Sequence, residues 1–118
     1  MPMDLANYLN ETMLDNAHPS GFGIKLYLNN CMSRSELKEM ATIYLQTYYD
    51  KYLSVALKES FKSSQDFSKK HLDTFISQTY YCALLNNMYW GIWCIAMMQP
   101  ADFADPSAFY YEALKARI

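Results

Sequence analysis

Apolar side chains recur every three or four residues through most of this chain, which is the spacing of an α-helix. A first helix is predicted from Met3 or Asp4 to about Asn16. Its apolar stripe contains Leu5, Tyr8, Leu9 and Met13, and its opposite, polar side carries Asn7, Asn10, Glu11 and Asp15. A break at residues 18–23 and an extended or irregular segment over residues 24–31 follow. Strand signals are weak everywhere.

A capping-box motif marks the start of the second helix. Ser33 and Glu36 have the spacing at which each side chain satisfies the backbone of the other. The helix is predicted from about residue 34 to the high forties, and a continuation to Lys62 stays open. Its stripe contains Leu37, Ala41, Tyr44, Tyr48, Tyr52 and Val55. Residues 62–66 are polar and short, which indicates a loop.

The third helix is predicted to begin around Ser68. Its first part has one apolar side that faces inward, and from Tyr80 onward apolar residues lie on nearly all sides. The inward residues are Leu72, Phe75, Ile76 and Thr79. From Tyr80 to Met98 there are 19 residues without a charge. Such a helix is typically central and covered on several sides. We expect Gly91, inside this run, to let another backbone or a ligand approach.

The length of this uncharged run also allows a membrane span as the alternative. Asn86 and Asn87 lie near its middle, however, and no basic flank follows it. A buried helix in a water-soluble protein is therefore favoured. Pro100 ends the helix, and Asp105 followed by Pro106 predicts a fourth helix that runs from Pro106 to near the end of the chain.

Composition indicates one folded domain at most and excludes several partners. The chain has 118 residues, of which 52% are hydrophobic and 16% aromatic. A net charge of −2 and ten basic residues indicate no nucleic-acid partner, and no basic run suggests a membrane surface. Cys31, Cys82 and Cys94 lack zinc or disulfide spacing, which favours reduced, buried thiols in an intracellular protein. The first residues lack the features of a signal peptide.

The two tryptophans are the strongest candidates for chemistry. Trp90 and Trp93 are three residues apart and share one helix face, so they either fill a core or form one wall of a pocket. With Phe103, Tyr110 and Tyr111 downstream, they could form a cage that attracts a quaternary ammonium group. Glu11 and Asp15 form an acidic pair on one face of the first helix, which either faces solvent or places Glu11 to close a site for a cation. His18 and His71 lack catalytic spacing and are expected at the surface.

Two separated motifs resemble the choline/ethanolamine kinase family. The run NNMYWGIWCIAMMQPADF resembles the family's C-terminal signature, an aromatic residue followed by WGLW, a helix end and an acidic-Phe pair. MDLANYLNE resembles its FD[IL]xNxxxE segment, and a terminal helix from Tyr111 to Arg117 completes the order. The resemblance covers nearly all of the chain but only about the last third of a complete kinase.

The resemblance implies an all-α, single helical subdomain over residues 1–118, with about four helices, like the C-terminal lobe of a protein-kinase-like choline kinase. It implies a pocket for choline or ethanolamine that is closed by Glu11 and walled by Trp90 and Trp93. Phe103 and Tyr111 match the downstream aromatic residues more loosely. A Tyr found in many members five residues after the glutamate is Asn16 here, which leaves that wall polar or missing.

The resemblance also implies phosphoryl transfer from Mg-ATP to an alcohol, which depends on positioning by upstream parts. The sequence contains neither an HxDxxxxN-like loop nor the lobe that holds ATP. No catalytic residue, metal site or cofactor site is therefore assigned here; ATP and Mg are implied only for a complete family member. We predict that the chain alone does not catalyse.

The predicted function is thus the aminoalcohol site of a cytoplasmic kinase-like protein that phosphorylates choline or ethanolamine for phosphatidylcholine or phosphatidylethanolamine synthesis. The expected partners are the small ligand and either the missing N-terminal kinase portion or another protein subunit. The alternative is a kinase-derived helical scaffold in a larger assembly. A second alternative is a small helical module that binds choline-like ligands without chemistry.

Overall fold

The computed structural model describes residues 2–18, 23–101, 104–105 and 109–117. Within these ranges the chain is built from helices with one small hairpin. The elements are α1 (Pro2–Glu11), β1 (Leu14–His18), β2 (Gly23–Leu26), a 3-10 turn (Leu28–Asn30), α2 (Arg34–Tyr52), α3 (Val55–Lys58), α4 (Ser64–Met97) and α5 (Phe109–Arg117). The predicted all-α class is confirmed, since the four predicted helices correspond to α1, α2, α4 and α5.

Helix α1 ends earlier than the prediction of about Asn16. The Thr12 side chain donates to the carbonyl of Leu9 at 2.8 Å, and Met13 N–H bonds back to Asn10 at 3.3 Å, which tightens the last turn. The chain then enters the antiparallel pair β1–β2, where Asp15 lies opposite Lys25. The interpretation of Glu11 and Asp15 as a pair on one helix face is therefore wrong.

Strand β1 was missed because residues 14–18 contain no β-branched side chain and show little alternation, whereas most of β2 lies in the segment predicted to be extended or irregular. Their pairing depends on a partner segment about ten residues away rather than on local propensity. The pairing of the hairpin reaches back almost to the end of α1, since the Tyr27 N–H bonds to the carbonyl of Met13 at 2.7 Å. Helix α5 packs against β2, so the hairpin connects the two ends of the described chain.

The capping box predicted for α2 is present. Glu36 N–H bonds to the Ser33 hydroxyl at 3.3 Å, and the Glu36 carboxylate accepts the Ser33 N–H at 2.8 Å. The Ser33 hydroxyl also donates to the Glu36 carboxylate at 2.6 Å, and this bond, together with the Ser33 N–H, holds the pKa of Glu36 below its ordinary value because both stabilise the charged form. The helix ends at Tyr52, and the separate turn α3 follows instead of a continuation to Lys62.

Helix α4 is the longest element of the described chain and begins before the predicted position at Ser68. Ser63 caps it by accepting the Asp66 N–H at 3.2 Å, so most of the polar segment at residues 62–66 is helical. At about 1.5 Å per residue, its 34 residues span about 50 Å. This length explains the elongated molecule, whose extents are 60 × 27 × 20 Å.

The main core lies where α1 and α2 cross the first half of α4. Its buried members are Leu5, Leu37, Ala41, Leu45, Phe67, Phe75 and Ile76. Tyr44 closes one edge: its ring stacks on Phe75 at 5.2 Å, and its hydroxyl reaches the Asp4 carboxylate at 3.4 Å. The predicted inward side of α4 is confirmed, with Phe75, Ile76 and Thr79 buried and Leu72 half-buried.

Asparagines join α1 to the middle of α4. The Asn10 amide donates to the carbonyl of Ala83 at 3.0 Å and accepts from Asn87 at 3.3 Å, while Asn86 donates to Asn7 at 3.1 Å. We call these contacts the asparagine ladder. Asn10 is only 4% exposed, so a residue on the predicted polar side of the first helix is buried. The same ladder explains how two asparagines fit inside an apolar run.

The second half of α4 is not covered on several sides, contrary to the prediction. One side packs against α1 and α5, whereas the other side exposes large apolar residues. Those more than half exposed from Tyr80 onward are Tyr80, Tyr81, Leu84, Met88, Tyr89 and Ile92. We call this surface the open face of α4. Among the described residues, no helix has the length and apolarity that a bilayer crossing requires.

Pro100 lies beyond the end of α4, as predicted, and α5 is described from Phe109. The predicted start of that helix at Pro106 falls on residues 106–108, outside the described ranges.

Removing one buried amide should test the asparagine ladder. We expect Asn10→Ala to lower the free energy of unfolding by about 1–3 kcal/mol, because the Ala83 carbonyl and the Asn87 amide lose their partner. Urea unfolding followed by circular dichroism measures this change.

Asn30→Ala is the matched control, since Asn30 is exposed in the 3-10 turn and should change stability by less than about 0.5 kcal/mol. Equal effects of the two substitutions would contradict the structural role of the ladder.

Candidate functional site

The candidate site forms where the end of α1, the second half of α4 and the last turns of α5 meet. Glu11 is the final residue of α1 and directly follows Asn10 of the asparagine ladder. Trp90 lies about one turn, and Trp93 nearly two turns, beyond Asn87 on α4. Arg117 is the final residue of α5. Three elements that are far apart in sequence therefore supply the side chains.

The aromatic part of the site is a row of edge-to-face rings. The Trp90 and Trp93 centroids are 5.6 Å apart with their planes at 81°, and Tyr110 of α5 meets Trp93 at 5.6 Å and 72°. Such geometry places the positive edge of one ring on the negative face of the next. The prediction that the two indoles share a helix face is confirmed. Trp93 is 37% exposed, so the row is not a closed core.

Gly91 lies between the two tryptophans on the buried side of α4. A Cβ built at this position would be 3.5 Å from Cδ1 of Leu114 on α5, which is an ordinary contact distance. Among the described residues, the neighbour at Gly91 is therefore a side chain of α5. This contact and the Trp93–Tyr110 ring pair hold α5 against α4.

Arg117 connects the charged and aromatic parts of the site. Its Nη2 donates to Oε1 of Glu11 at 3.0 Å, and its Nη1 donates to Oδ1 of Asn87 at 3.4 Å. Its Cζ lies 5.8 Å from the centroid of a Trp90 ring, within the range of a cation–π contact. Glu11 and Trp90 thus contact one guanidinium, and the described chain holds a cation between a carboxylate and an indole.

The ion pair lies at the edge of the protein interior. The Arg117 side chain is 8% exposed and the Glu11 side chain 36% exposed. Burial also raises the pKa of the nearby Cys94 thiol, while the positive charge of Arg117 acts in the opposite direction with a smaller effect. Desolvation disfavours the thiolate, so Cys94 remains a neutral thiol beside the site.

The structure describes only some of the residues predicted for the site. Glu11 and Trp90 come together through Arg117, and Trp93 adjoins Trp90. Phe103 lies outside the described residues. Tyr111 lies in α5 and Asn16 lies in β1, but only the backbone of each residue is described.

Sequence reasoning missed two residues at the site, Arg117 and Asn87. A basic residue in the last turn of a terminal helix usually indicates a favourable contact with the helix dipole. No local pattern connects Arg117 with Glu11, which is 106 residues away. Tyr110 belongs to the aromatic set predicted downstream of the tryptophans, and its ring contacts Trp93.

Other candidate groups have no comparable arrangement. The ring of His71 packs on Phe67 at 4.7 Å and on Phe61 at 5.7 Å, so this histidine is half-buried among aromatic rings rather than at the surface. The side chain of His18 is not described. Among the described residues, no three His, Cys, Asp or Glu side chains come together as a metal site.

A separate open groove of about 690 Å³ lies between α1 and α2. Asp4, Tyr44, Tyr48 and Tyr52 contribute to its lining. It is thus a second place in the described chain where a carboxylate and aromatic rings occur together. It lies in the half of the molecule that contains the main core, away from the tryptophans, and serves below as an internal control.

The fold and the site define a mainly helical protein that holds a cation between a carboxylate and an indole. A family model described as choline/ethanolamine kinase matches residues 1–111, nearly the whole chain. The chain therefore belongs to the choline/ethanolamine kinase family. Neither a curated protein nor a solved structure matches it.

Thiol reactivity tests the burial of the α4–α5 contact. The prediction of buried thiols is correct for Cys94 but wrong for Cys31, which is exposed; Cys82 is half-buried. We expect iodoacetamide at pH 8 to modify Cys31 well before Cys94, because Cys94 is both inaccessible and shifted toward the neutral thiol. Mass spectrometry of the peptides measures the order.

In urea the two thiols should react at similar rates, since unfolding removes the desolvation. Rapid labelling of Cys94 in the folded chain would show that α5 does not pack on α4 as described.

Proposed function

We propose that this chain supplies the aminoalcohol site of a choline/ethanolamine kinase, with choline or ethanolamine as the ligand. The observation that carries this proposal is the Arg117 guanidinium, which lies between the Glu11 carboxylate and the Trp90 ring. A site that accepts this internal cation has the chemistry to accept an organic ammonium ion. Membership of the family supports the same class of ligand.

The properties of the ligand fit these groups. A quaternary ammonium ion has no N–H to donate, so it is recognised by ring faces and by long-range attraction to a carboxylate. A ring contributes about 0.5–2 kcal/mol, depending on desolvation. In this proposal Trp90 and Trp93 form the aromatic wall and Glu11 supplies the charge. Phe103 and Tyr111 remain proposed members of the wall on the strength of the family resemblance.

The proposed reaction of the complete protein is phosphorylation of the ligand hydroxyl by ATP with Mg, in the synthesis of phosphatidylcholine or phosphatidylethanolamine in the cytoplasm. The sequence contains no HxDxxxxN-like loop and no lobe that holds ATP, the parts that position Mg-ATP in the complete protein. We therefore assign no step of phosphoryl transfer to this chain. Its contribution in this proposal is to bind and orient the aminoalcohol.

The chain by itself should not transfer phosphate. We expect no phosphocholine when the purified chain is incubated with choline, Mg and ATP, because the groups that position the phosphates and the hydroxyl are absent from its sequence. Mass spectrometry of the reaction mixture, compared with a blank without protein, checks this. Turnover that scales with the concentration of the chain would contradict the prediction.

Choline binding should depend on Trp90. We expect Trp90→Ala to weaken choline binding by about tenfold, because the ring nearest the cation is lost. Isothermal titration calorimetry with choline chloride, matched for ionic strength, measures the affinity.

Tyr48→Ala is the matched control, since it removes an aromatic ring from the other groove without touching the tryptophans. Binding that survives Trp90→Ala but is lost in Tyr48→Ala would assign the ligand to the groove between α1 and α2, against the proposal.

The open face of α4 favours a second candidate, a helical scaffold subunit without catalysis. Contiguous apolar surface of this kind is typical of a face that packs against another protein surface. In the first proposal the surface that covers the open face of α4 belongs to the remaining kinase lobe. In the second proposal it belongs to another subunit. The scaffold is favoured if neither the wild-type chain nor an Arg117→Gln variant binds choline while both remain folded.

A further inference from the structure

Arg117 occupies the position that an ammonium ligand needs. Its guanidinium makes a charged hydrogen bond of 3.0 Å to Glu11, the proposed source of attraction for the ligand. It also lies 5.8 Å from the Trp90 ring, the proposed wall. With a side chain only 8% exposed, it fills this position rather than reaching it from the solvent. The site therefore already holds a cation that belongs to the chain.

A ligand cation and this guanidinium exclude each other. Both would use the same carboxylate and the same ring, and two positive charges a few ångströms apart repel strongly where water is scarce. While Arg117 remains, the charge of Glu11 is neutralised and attracts a ligand only weakly. The cost of breaking the ion pair then reduces the apparent affinity of the ligand.

The side chain of Arg117 can leave without dissociation of its helix. Helix α5 contacts α4 through Tyr110 and Leu114, which lie on turns before Arg117. Arg117 is the last residue of the helix, where few backbone hydrogen bonds constrain it. Rotation of one long side chain would thus open the position between Glu11 and Trp90.

We infer that Arg117 is a further residue of the ammonium site, an internal cation that the ligand must displace. This inference rests on the proposed function and deepens it, because it makes the affinity and selectivity of the site depend on one side chain. A neutral alcohol cannot replace the charge at Glu11, so only cationic ligands displace Arg117. The residue lies beyond residue 111, where the family match ends.

Removing the internal cation should tighten ligand binding. We expect Arg117→Gln to bind choline and tetramethylammonium at least about tenfold more tightly than the wild-type chain, because no charged hydrogen bond has to break first. Arg117→Lys should bind as weakly as wild type, since it retains the positive charge. Calorimetry at matched ionic strength measures the affinities, and circular dichroism verifies that each variant is folded.

Two controls separate displacement from simpler explanations. Lys115→Gln removes a positive charge from the same turn of α5 and should leave the affinity unchanged, so a gain there would indicate a general charge effect and overturn the inference. Glu11→Gln breaks the same ion pair but also removes the attraction for the ligand. Glu11→Gln should therefore not increase the affinity for choline. An increase equal to that of Arg117→Gln would show that loosening of α5 alone causes the tighter binding, and it would overturn the inference.

A measurement on the wild-type chain keeps the inference testable if Arg117→Gln fails to fold. Saturating choline should shift the side-chain Nε–H resonance of Arg117 in an NMR spectrum, because displacement takes the guanidinium away from the Glu11 carboxylate and from the Trp90 ring. An unchanged Arg117 resonance with choline bound would overturn the inference.

The outcomes distinguish this inference from the proposed function. If the wild-type chain binds choline and Arg117→Gln binds no more tightly, the inference fails and the proposed function stands. If both remain folded and neither binds, both fail, because an emptied position that accepts no ammonium is not an ammonium site.

Discussion

The asparagine ladder between α1 and α4 is the constraint on which the rest of the structure depends. A buried amide must find hydrogen-bond partners, so Asn10 and Asn86 allow α1 only one register along α4. That register also brings Leu5 into the main core. At the other end it places Glu11, the next residue after Asn10, beside the turn of α4 that carries Trp90. Because Asn87 contacts both Asn10 and Arg117, the ladder continues directly into the site.

The two halves of helix α4 pack against different elements. Its first half completes a core with α1 and α2, and its second half supports α5, the tryptophans and the internal cation. Both halves belong to one continuous helix, so the site lies on a rigid element rather than on a loop. The open face of α4 remains available for a larger protein surface, and this arrangement is compatible with a chain that contributes one wall of a binding site.

Local patterns were sufficient wherever the deciding contacts lie within a few residues. The capping box at Ser33 and Glu36 and the shared face of Trp90 and Trp93 are of this kind. The errors arose where a distant partner decides. Helix α1 stops at Glu11, and the polar residue Asn10 is buried because Ala83 and Asn87 are there to pair with it. The open face of α4 was predicted to be covered, since apolar composition does not reveal whether a covering surface exists.

The sequence by itself determined the mainly helical class, the position of the aromatic row and the family, because periodicity and the order of two motifs are properties of the chain alone. Only the tertiary structure decided that the guanidinium of Arg117 lies between Glu11 and Trp90. The residues of that ion pair are 106 positions apart, and their meeting depends on the ladder and on the packing of α5 beside Gly91. Helical spacing identifies which side chains share a face, but the partner of that face is set by the packing of distant elements.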